Sequence, residues 1–390
     1  MKTPTPGLLT TIRRALHQLV SRKIYVVAMI GVPVFCVIFF LSLLGPGLPL
    51  KVPTAIVDLD NSQMSRQVIR SLNAMELISI NDKCESYVEA LDKVKNGSVF
   101  GFFVIPVDFQ QKALGNDTPT IDYYTNLTYF VPGTLAFKGF KTVAVSTSGA
   151  IVKTTLVSAG VGDSEAGTLL QPMVFQEHPI GNPWLNYSIY LTNSFVPGVI
   201  ALMVMLVAVY SICDEIKRGS SVQWLHDAGG SIITAVTGKL LPQTVIFSLV
   251  GILSQSLIFG WSHFPLNCSA WHMILAMVLM VISCQAFALI VVCAVPNLRI
   301  ALSLVSLTGI LSFSVTGFSF PVQSMYGSIG IFSYLIPLRY YFLIYVDQAL
   351  NGIPLYYSRW FYIALLLFPF VALLLLGRLK KHCLRPVYVP

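Results

Sequence analysis

The sequence predicts an α-helical polytopic membrane protein with six transmembrane helices and an α/β extracytoplasmic domain inserted between helices one and two. Of its 390 residues, 55% are hydrophobic and only 11% are charged, a balance outside the range of soluble globular chains. Six apolar stretches are long enough to cross a hydrocarbon core of about 30 Å. Between the first two, short β-rich runs alternate with helical patterns, which is typical of an α/β domain.

The predicted transmembrane helices follow the apolar stretches, with helix 1 over residues 24–44 and helices 2–6 within 189–377. The stretches in the second range are 189–213, 241–261, 271–295, 300–317 and 360–377. The first stretch is longer than the apolar region of a signal peptide, and no small-residue cleavage site is evident after it. We therefore expect a retained anchor.

The basic residues before the first helix, after the last helix and in the loops after helices two and four predict the orientation. With six helices these residues all fall on one side, which the positive-inside rule makes cytoplasmic. Both termini are then cytoplasmic, residues 1–23 as an N-terminal helix and 378–390 as a tail, with the chain in the plasma (inner) membrane. The formal charge of +8 is concentrated on that face, where it favours anionic headgroups and does not indicate nucleic acid.

Within the extracytoplasmic domain, residues 51–130 predict the order βαβαβαβ. "TAIVDLD" and "SVFGFFVIP" are the clearest strands, and an Asn61-Ser62 cap precedes the first helical pattern. A long helix is expected from about Pro132 to Gly160. Asp58 and Asp60 follow a strand and fit either a metal site or turn capping, but no further carboxylate stands at ligand spacing.

Catalytic and ion-coupling patterns are absent from the sequence. It has no G-x-x-x-x-G-K-[ST], H-E-x-x-H, G-x-S-x-G or C-x-x-C pattern, so we expect no ATPase site and no enzyme activity of its own. The six apolar stretches contain no Asp, Glu or Lys, the groups through which ion-driven transporters couple. Energy for any transport is thus expected from a cytoplasmic partner.

A charged island, "DEIKRGSSVQWLHDAGG" at 214–230, follows the second apolar stretch. Gly219, Ser220 and Ser221 break the pattern and cap a short run, which suggests a brief helix on the membrane surface anchored by Trp224 and Leu225. A solvated loop that obeys the positive-inside rule explains the same residues.

Four motifs appear in a fixed order along the chain. They are "DEIKRGS", then Gly238-Lys239-Leu240 with Pro242, then "TGFSFPVQSM" at 316–325, then Pro337 to Phe342. In order, spacing and placement the chain resembles the permease subunits of type-2 ABC transporters over nearly its whole length. "VPTAIVDLDNSQMSRQVIRSL" and "GFFVIPVDF" are similar to the large insertion between helices one and two in one branch of that family. An amphipathic N-terminal helix, here with Leu8, Ile12, Leu16 and Leu19 on one face, is also shared.

The resemblance implies a coupling helix near 214–228 that docks on a separate nucleotide-binding subunit. The residues expected to transmit its movement are Glu215, Arg218, Gly219, Trp224 and Leu225. "GFSFP" and "IPLRYYF" are expected to form short re-entrant helices near 318–350, at the outer mouth. The outer-gate residues would be Gly317, Phe318, Phe320, Pro321, Pro337, Tyr340 and Tyr341. For Tyr340, Tyr341 and Phe342 an interfacial aromatic belt is the alternative.

The resemblance also implies the function and the partners. The chain would be the permease subunit of an ABC exporter for an amphipathic or lipophilic substrate, binding no cofactor itself, with ATP and Mg on a cytoplasmic ABC ATPase. A second permease copy or a paralogue would complete a dimer in the bilayer, and a periplasmic adaptor is a further candidate partner. The alternative function is a membrane-anchored receptor or adaptor that acts through its extracytoplasmic domain.

Overall fold

The computed structural model describes residues 6–45, 47–115, 117–158, 160–170, 182 and 186–386. The chain forms two compact units. Residues 1–47 and 179–390 make a helical bundle, and residues 48–178 make a separate domain inserted into it.

Six helices within the described ranges are long and apolar enough to cross a membrane, which confirms the predicted number. Spans 1 to 6 are Lys23–Leu43, Tyr187–Lys217, Ile232–Trp261, Ala270–Ala294, Leu298–Val315 and Leu355–Leu384. Spans 2, 3 and 6 extend beyond the apolar stretches that predicted them. At the C-terminal end of span 2 and the start of span 3, the helix continues into polar sequence, where Asp214, Glu215 and Lys239 find partners within the protein.

Spans 2 and 4 form the centre of the bundle. About 67% and 56% of their most apolar windows are buried, against 22% for span 6. Polar side chains join the central helices inside this apolar setting. The bonds are Gln243 Nε2 to Ser211 Oγ (3.0 Å), Thr244 Oγ1 to Gln285 Oε1 (2.7 Å) and Ser283 Oγ to the Leu365 carbonyl (2.7 Å). Such bonds hold membrane helices together where water-driven hydrophobic association is absent.

Glycines set the close approach of spans 2 and 5. A Cβ on Gly198 would lie 2.3 Å from Phe313 Cε1, and one on Gly309 would lie 2.4 Å from Leu202 Cδ1. Small residues at such crossings let helices pack closely in a bilayer. Pro197 lies beside Gly198 inside span 2 without ending the helix, as expected where neighbouring helices surround a bend.

The N-terminal helix α1 (Leu8–Ser21) is amphipathic, but its packed face differs from the predicted one. Thr11, Ala15 and Leu19 are buried, whereas Leu8 and Leu16 are more than 40% exposed. The small residues Thr11 and Ala15 face the bundle together with Leu19, and small side chains allow backbones to approach each other closely. Leu8 and Leu16 are left on the outer surface.

The inserted domain has the predicted βαβαβαβ order and the predicted long helix. Its elements are β1 (Val52–Asp58), α2 (Gln63–Asn73), β2 (Ile78–Cys84), α3 (Tyr87–Lys95), β3 (Gly101–Ile105), α4 (Phe109–Leu114), β4 (Asp122–Thr125), α5 (Phe130–Ser158) and α6 (Asp163–Leu170). The Ser62 hydroxyl caps α2 by accepting from the Ser65 amide at 3.0 Å. The described strands form one sheet in the order β2-β1-β3-β4, parallel except for β4.

Both faces of the sheet are buried. Successive side chains of a strand point to opposite faces, so each central strand contributes to two separate cores. Ile56 and Phe103 belong to one core, with α2 and α5. Ala55, Val57 and Phe102 belong to the other, with α3. The domain therefore has its own hydrophobic interior.

The two aspartates after β1 serve as turn and cap acceptors. Asp58 accepts from the Asn61 amide and the Ser65 hydroxyl, both at 2.9 Å, and Asp60 accepts from the Gln110 amide at 3.2 Å. Across the described residues, no group of three or more His, Cys, Asp or Glu side chains is arranged to hold a metal ion.

Three short helices complete the bundle: α7 (Ser221–Asp227), α8 (Gly327–Ser333) and α9 (Pro337–Ile344), which continues as a π-helix to Leu350. The axes of Gly327–Ser333 and Pro337–Leu350 bend by 80°, and neither segment is long enough to cross a membrane alone. The prediction that "GFSFP" itself is helical was wrong. Gly317 to Phe320 form bends, because Gly317 adopts φ +97° directly after span 5.

A matched pair of glycine substitutions tests the packing of spans 2 and 5. Gly198→Ala places a methyl group against the Phe313 ring, and overpacking of this kind costs about 1–3 kcal/mol. Gly377→Ala makes the same change in span 6, where an added Cβ meets nothing within 4 Å. We expect a lower thermal midpoint for detergent-purified Gly198→Ala than for Gly377→Ala. Equal midpoints would contradict the close crossing.

Candidate functional site

Seven charged side chains meet where α1, the end of span 2, α7 and the start of span 3 come together. This charged cluster consists of Arg14, Arg22, Asp214, Glu215, Arg218, Asp227 and Lys239. It joins residues that are up to 213 positions apart in the chain. The island at 214–230 is charged because its carboxylates pair with cations from α1 and span 3.

Glu215 is the centre of the cluster and is only 2% exposed. Its Oε1 accepts from Lys239 Nζ at 2.6 Å and from Gln18 Nε2 at 2.8 Å. Its Oε2 accepts from Arg14 Nη2 at 2.9 Å and from the Ser220 hydroxyl. Both carboxylate oxygens are thus fully hydrogen-bonded, the condition under which a buried charge is tolerated.

Lys239 is the matching buried cation, also 2% exposed. Besides Glu215, its ammonium donates to Gln18 Oε1 at 3.2 Å and lies 4.9 Å from the centre of the Trp224 ring. An aromatic face attracts a cation, and the attraction grows when the pair is shielded from water. Lys239 therefore links span 3 to α7 as well as to span 2.

Two further ion pairs extend the cluster outward. Asp214 accepts from Arg22 Nη1 at 2.6 Å and from Arg218 Nε at 2.9 Å. The hydrogen bond to Asp214 raises the pKa of the Arg22 guanidinium above its ordinary value, which keeps this cation charged. Arg14 also bonds Asp227 at 2.7 Å, and the Gly7 amide donates to the Asp227 carbonyl at 2.9 Å. The end of α7 is thereby fastened to the start of α1.

Each residue of the Arg-Gly-Ser-Ser sequence has a distinct structural role. Gly219 adopts φ +70° and ends span 2 with a tight turn, its amide donating to the Ile216 carbonyl at 3.1 Å. The Ser220 hydroxyl, expected to cap α7, binds Glu215 instead. The Ser221 hydroxyl donates to the Cys383 carbonyl at 2.9 Å, which ties α7 to the end of span 6.

The Gly-Lys-Leu sequence has an equally direct explanation. A Cβ on Gly238 would lie 2.7 Å from Thr11 Cβ and 3.4 Å from the Leu8 carbonyl oxygen. The backbone of α1 therefore rests on span 3 at this glycine. That contact brings Arg14 and Gln18 within reach of the Glu215 carboxylate.

Helix α7 has one buried and one exposed face. Trp224 and Leu225 are 1% and 4% exposed and belong to the core of the bundle. Val222, Gln223 and His226 are exposed. The prediction that Trp224 and Leu225 anchor the helix in the membrane surface was wrong, and the solvated-loop alternative was also wrong. Burial against spans 2, 3 and 6 was stronger than any attraction to lipid.

The five residues expected to transmit movement therefore divide into two sets. Glu215, Trp224 and Leu225 lie inside the protein, and Arg218 and Gly219 lie at its surface. Sequence reasoning missed Arg14, Gln18, Arg22 and Asp227 as members of the site, and it treated Lys239 mainly as an orientation marker. One signal in the sequence could have indicated these partners. Carboxylates are concentrated at 214–227 in a chain with few charges, and buried carboxylates need cationic partners.

The predicted outer residues follow the C-terminal end of span 5 and lie in and around α9. Arg339 is 7% exposed and donates to the Thr316 carbonyl at 3.1 Å, next to Gly317. The ring of Phe318 stacks on Tyr190, with 4.4 Å between centroids, and meets Phe342 edge-on. Span 2, the turn after span 5 and α9 are thus joined by aromatic contacts and one buried cation.

The remaining outer residues are not all brought together. Tyr341 is 3% exposed and its hydroxyl accepts from Gln255 Nε2 at 3.1 Å, so the aromatic-belt alternative was wrong for it. Pro337 is buried at the start of α9. Tyr340 is half-buried and donates to the Tyr334 carbonyl at 2.8 Å. Phe320 and Pro321 are exposed and lie outside this packed group.

The Glu215–Lys239 pair generates a stability prediction. Glu215→Gln leaves the Lys239 charge buried without its counter-ion, and breaking such a pair costs about 3–5 kcal/mol. Combining Glu215→Gln with Lys239→Met removes the stranded charge, so we expect the double variant to be more stable than Glu215→Gln alone. Thermal midpoints of detergent-purified protein measure both effects.

Arg218→Ala is the control, because the Arg218 side chain is 57% exposed and an exposed ion pair contributes about 1 kcal/mol or less. If the loss of stability in the double variant equals the sum of the losses in the two single variants, Glu215 and Lys239 act independently, which would contradict the buried pair.

One of three comparisons with known proteins identifies a family for the chain. Searches among curated proteins and among solved structures returned no match to the chain. The family model described as ABC-2 family transporter protein matches residues 23–378, from the first residue of span 1 into the end of span 6. Membrane subunits of this family carry out transport and generally pair with a cytoplasmic ATPase subunit. The chain belongs to the ABC-2 transporter family and is a membrane permease subunit of an ABC transporter.

Proposed function

We propose that the chain is the permease subunit of an ATP-driven exporter that moves an amphipathic or lipophilic substrate out of the cytoplasm or inner leaflet. It works as a dimer, with a second copy or a paralogue. A separate cytoplasmic ABC ATPase binds ATP and Mg, and this chain binds neither. The family membership supports the transport role, and α7 with its charged cluster supports the link to an ATPase.

The two faces of α7 are the observation that carries the proposal. The buried face is fixed at several points: Trp224 and Leu225 in the core, Ser221 on the Cys383 carbonyl, and Asp227 on Arg14. A force applied to the exposed face cannot be absorbed by α7 alone, because these contacts join it to α1 and to spans 2, 3 and 6. The helix is therefore suited to pass on the closure of a docked ATPase.

The surface available for docking is formed by Arg218, Gly219, Val222, Gln223 and His226. These residues are exposed, and Gly219, Gly229 and Gly230 adopt positive φ at the two ends of α7. Glu215, Trp224 and Leu225 act from inside, by keeping this surface in a fixed position. In this proposal the exposed residues contact the ATPase, and the buried residues hold the exposed ones in place.

The orientation follows from the distribution of charge. We place the chain in the plasma (inner) membrane, with the charged cluster and both termini on the cytoplasmic side. The positive-inside rule applies to the short loops and tails that carry these cations. The exposed apolar residues Leu9 and Val20 of α1 then rest in the interface of the cytoplasmic leaflet.

The packed group around Arg339 serves as the outer gate in this proposal. Gly317, Phe318, Pro337 and Tyr341 hold the bent pair of helices against span 2, and Phe320, Pro321 and Tyr340 form its outer rim. A membrane protein tolerates short bent helices and non-helical backbone at this depth where they are covered by protein or line a cavity. In this proposal the substrate leaves the protein past this group.

A substitution on the exposed face of α7 tests the docking. Val222 is 47% exposed, and Val222→Arg adds a bulky charge to the proposed contact without touching the core. Losing a central interface contact typically weakens binding by more than about tenfold. The experiment purifies the tagged full-length chain from its membrane in mild detergent and quantifies co-purified ATPases by mass spectrometry.

Val88→Arg is the matched control, because Val88 is 64% exposed and lies in the inserted domain. We expect an ABC ATPase with the wild type and with Val88→Arg, and its loss with Val222→Arg. Absence of any ATPase from the wild type would contradict the proposal and favour a receptor or adaptor role. Equal ATPase recovery with all three proteins would place the docking surface elsewhere.

A further inference from the structure

The inserted domain contains a cavity of about 450 Å³ beside its sheet. It opens to the surface of the domain and is lined by α2, α4, residues 115, 117–119 and 121, and the long helix α5. The apolar walls include Leu72, Phe109, Ile121, Phe140, Val143 and Val152. Cavities of about 300–1,000 Å³ with mainly apolar walls are the usual size and character of small-molecule sites.

The cavity is not a consequence of a loosely packed domain. Directly beside it, the rings of Phe103, Tyr123 and Phe140 stack with centroid separations of 4.8–5.3 Å. Val68 and Leu72, which form part of its wall, are at most 2% exposed. The space is therefore a pocket on the surface of a well-packed domain, with room for a ligand.

Four polar side chains line the same space: Asp117, Thr118, Thr147 and Ser148. Within the part of the chain that the structure describes, none of these four side chains has a hydrogen-bond or ion-pair partner. Asp117 is the only charged residue among the lining side chains. Asp117, Thr118 and Ser148 are exposed and Thr147 is half-buried. The cavity thus combines apolar walls with one carboxylate and three hydroxyl groups near its open side.

We propose that this cavity is a binding site for a lipophilic organic cation. The exposed Asp117 carboxylate supplies a counter-charge, and aromatic lining residues such as Phe109 and Phe140 favour a cation over an anion. A lipophilic anion finds no basic residue among the lining side chains and meets the Asp117 charge instead. The site lies within the inserted domain alone, so it goes beyond the transport role and stands whether or not α7 docks an ATPase.

The test uses the full-length chain in lipid nanodiscs and two isosteric probes of opposite charge, radiolabelled tetraphenylphosphonium and tetraphenylborate. Empty nanodiscs measure partition into lipid. Ala144→Phe fills the cavity from α5, and Val145→Phe places the same ring on the exposed side of the same helix, because Ala144 lines the cavity and Val145 is 61% exposed. Asp117→Asn removes the counter-charge and keeps the side-chain size.

We expect saturable tetraphenylphosphonium binding to the wild type and to Val145→Phe, above that of empty nanodiscs. Ala144→Phe should weaken it at least about tenfold, since one displaced ring contact of about 1.4 kcal/mol already gives that factor. Asp117→Asn should weaken it about 1.5-fold to fivefold, the range of a solvent-exposed ion pair. Tetraphenylborate should bind the wild type more weakly, and Asp117→Asn should remove that difference.

Two results would overturn the proposal. One is tetraphenylphosphonium binding that does not exceed lipid partition, or that is equal in the wild type and Ala144→Phe. The other is equal binding of both probes to the wild type, which would remove the charge preference. Size-exclusion profiles establish that each variant is folded, and Ala144→Leu gives a smaller filling of the cavity if Ala144→Phe does not fold.

Discussion

The buried ion pair between Glu215 and Lys239 is the constraint on which the bundle depends. Each charge is 2% exposed, and neither is stable there without the other and without the donors from Arg14, Gln18 and Ser220. Meeting that requirement brings four parts of the chain to one place: α1, the end of span 2, α7 and the start of span 3. Apolar packing alone does not specify this junction, because side chains of similar size are interchangeable in a lipid-facing bundle.

The glycines next to these charges make the junction possible. Gly219 turns the chain after span 2 with a positive φ, and Gly238 lets α1 rest on span 3. The Arg-Gly-Ser-Ser and Gly-Lys-Leu sequences are thus two halves of one structure, although about twenty residues separate them in the chain. Their consequence is a short helix with a buried inner face and an exposed outer face, on which the proposed docking of an ATPase rests.

The inserted domain follows different physical rules from the bundle. Its strands bury alternate side chains in separate cores on the two faces of a sheet. It holds its own core, so a cavity beside that core is a local feature of the domain. The chain thereby combines a junction built from paired charges with a pocket in which one carboxylate and three hydroxyl groups have no described partner.

The sequence by itself determined the six spans and the βαβαβαβ domain, because hydrophobic length and the alternation of short β-rich runs with helical patterns are local properties of the segments. It also located the island, Gly317 and Tyr341 as places of interest through motif order. Only the tertiary structure decided which side chains meet. Trp224 and Leu225 face the core instead of lipid, and Arg14 and Lys239 bind Glu215 instead of merely marking orientation. Ion pairing between segments up to 213 residues apart depends on how helices cross, and no local pattern in the sequence encodes that geometry.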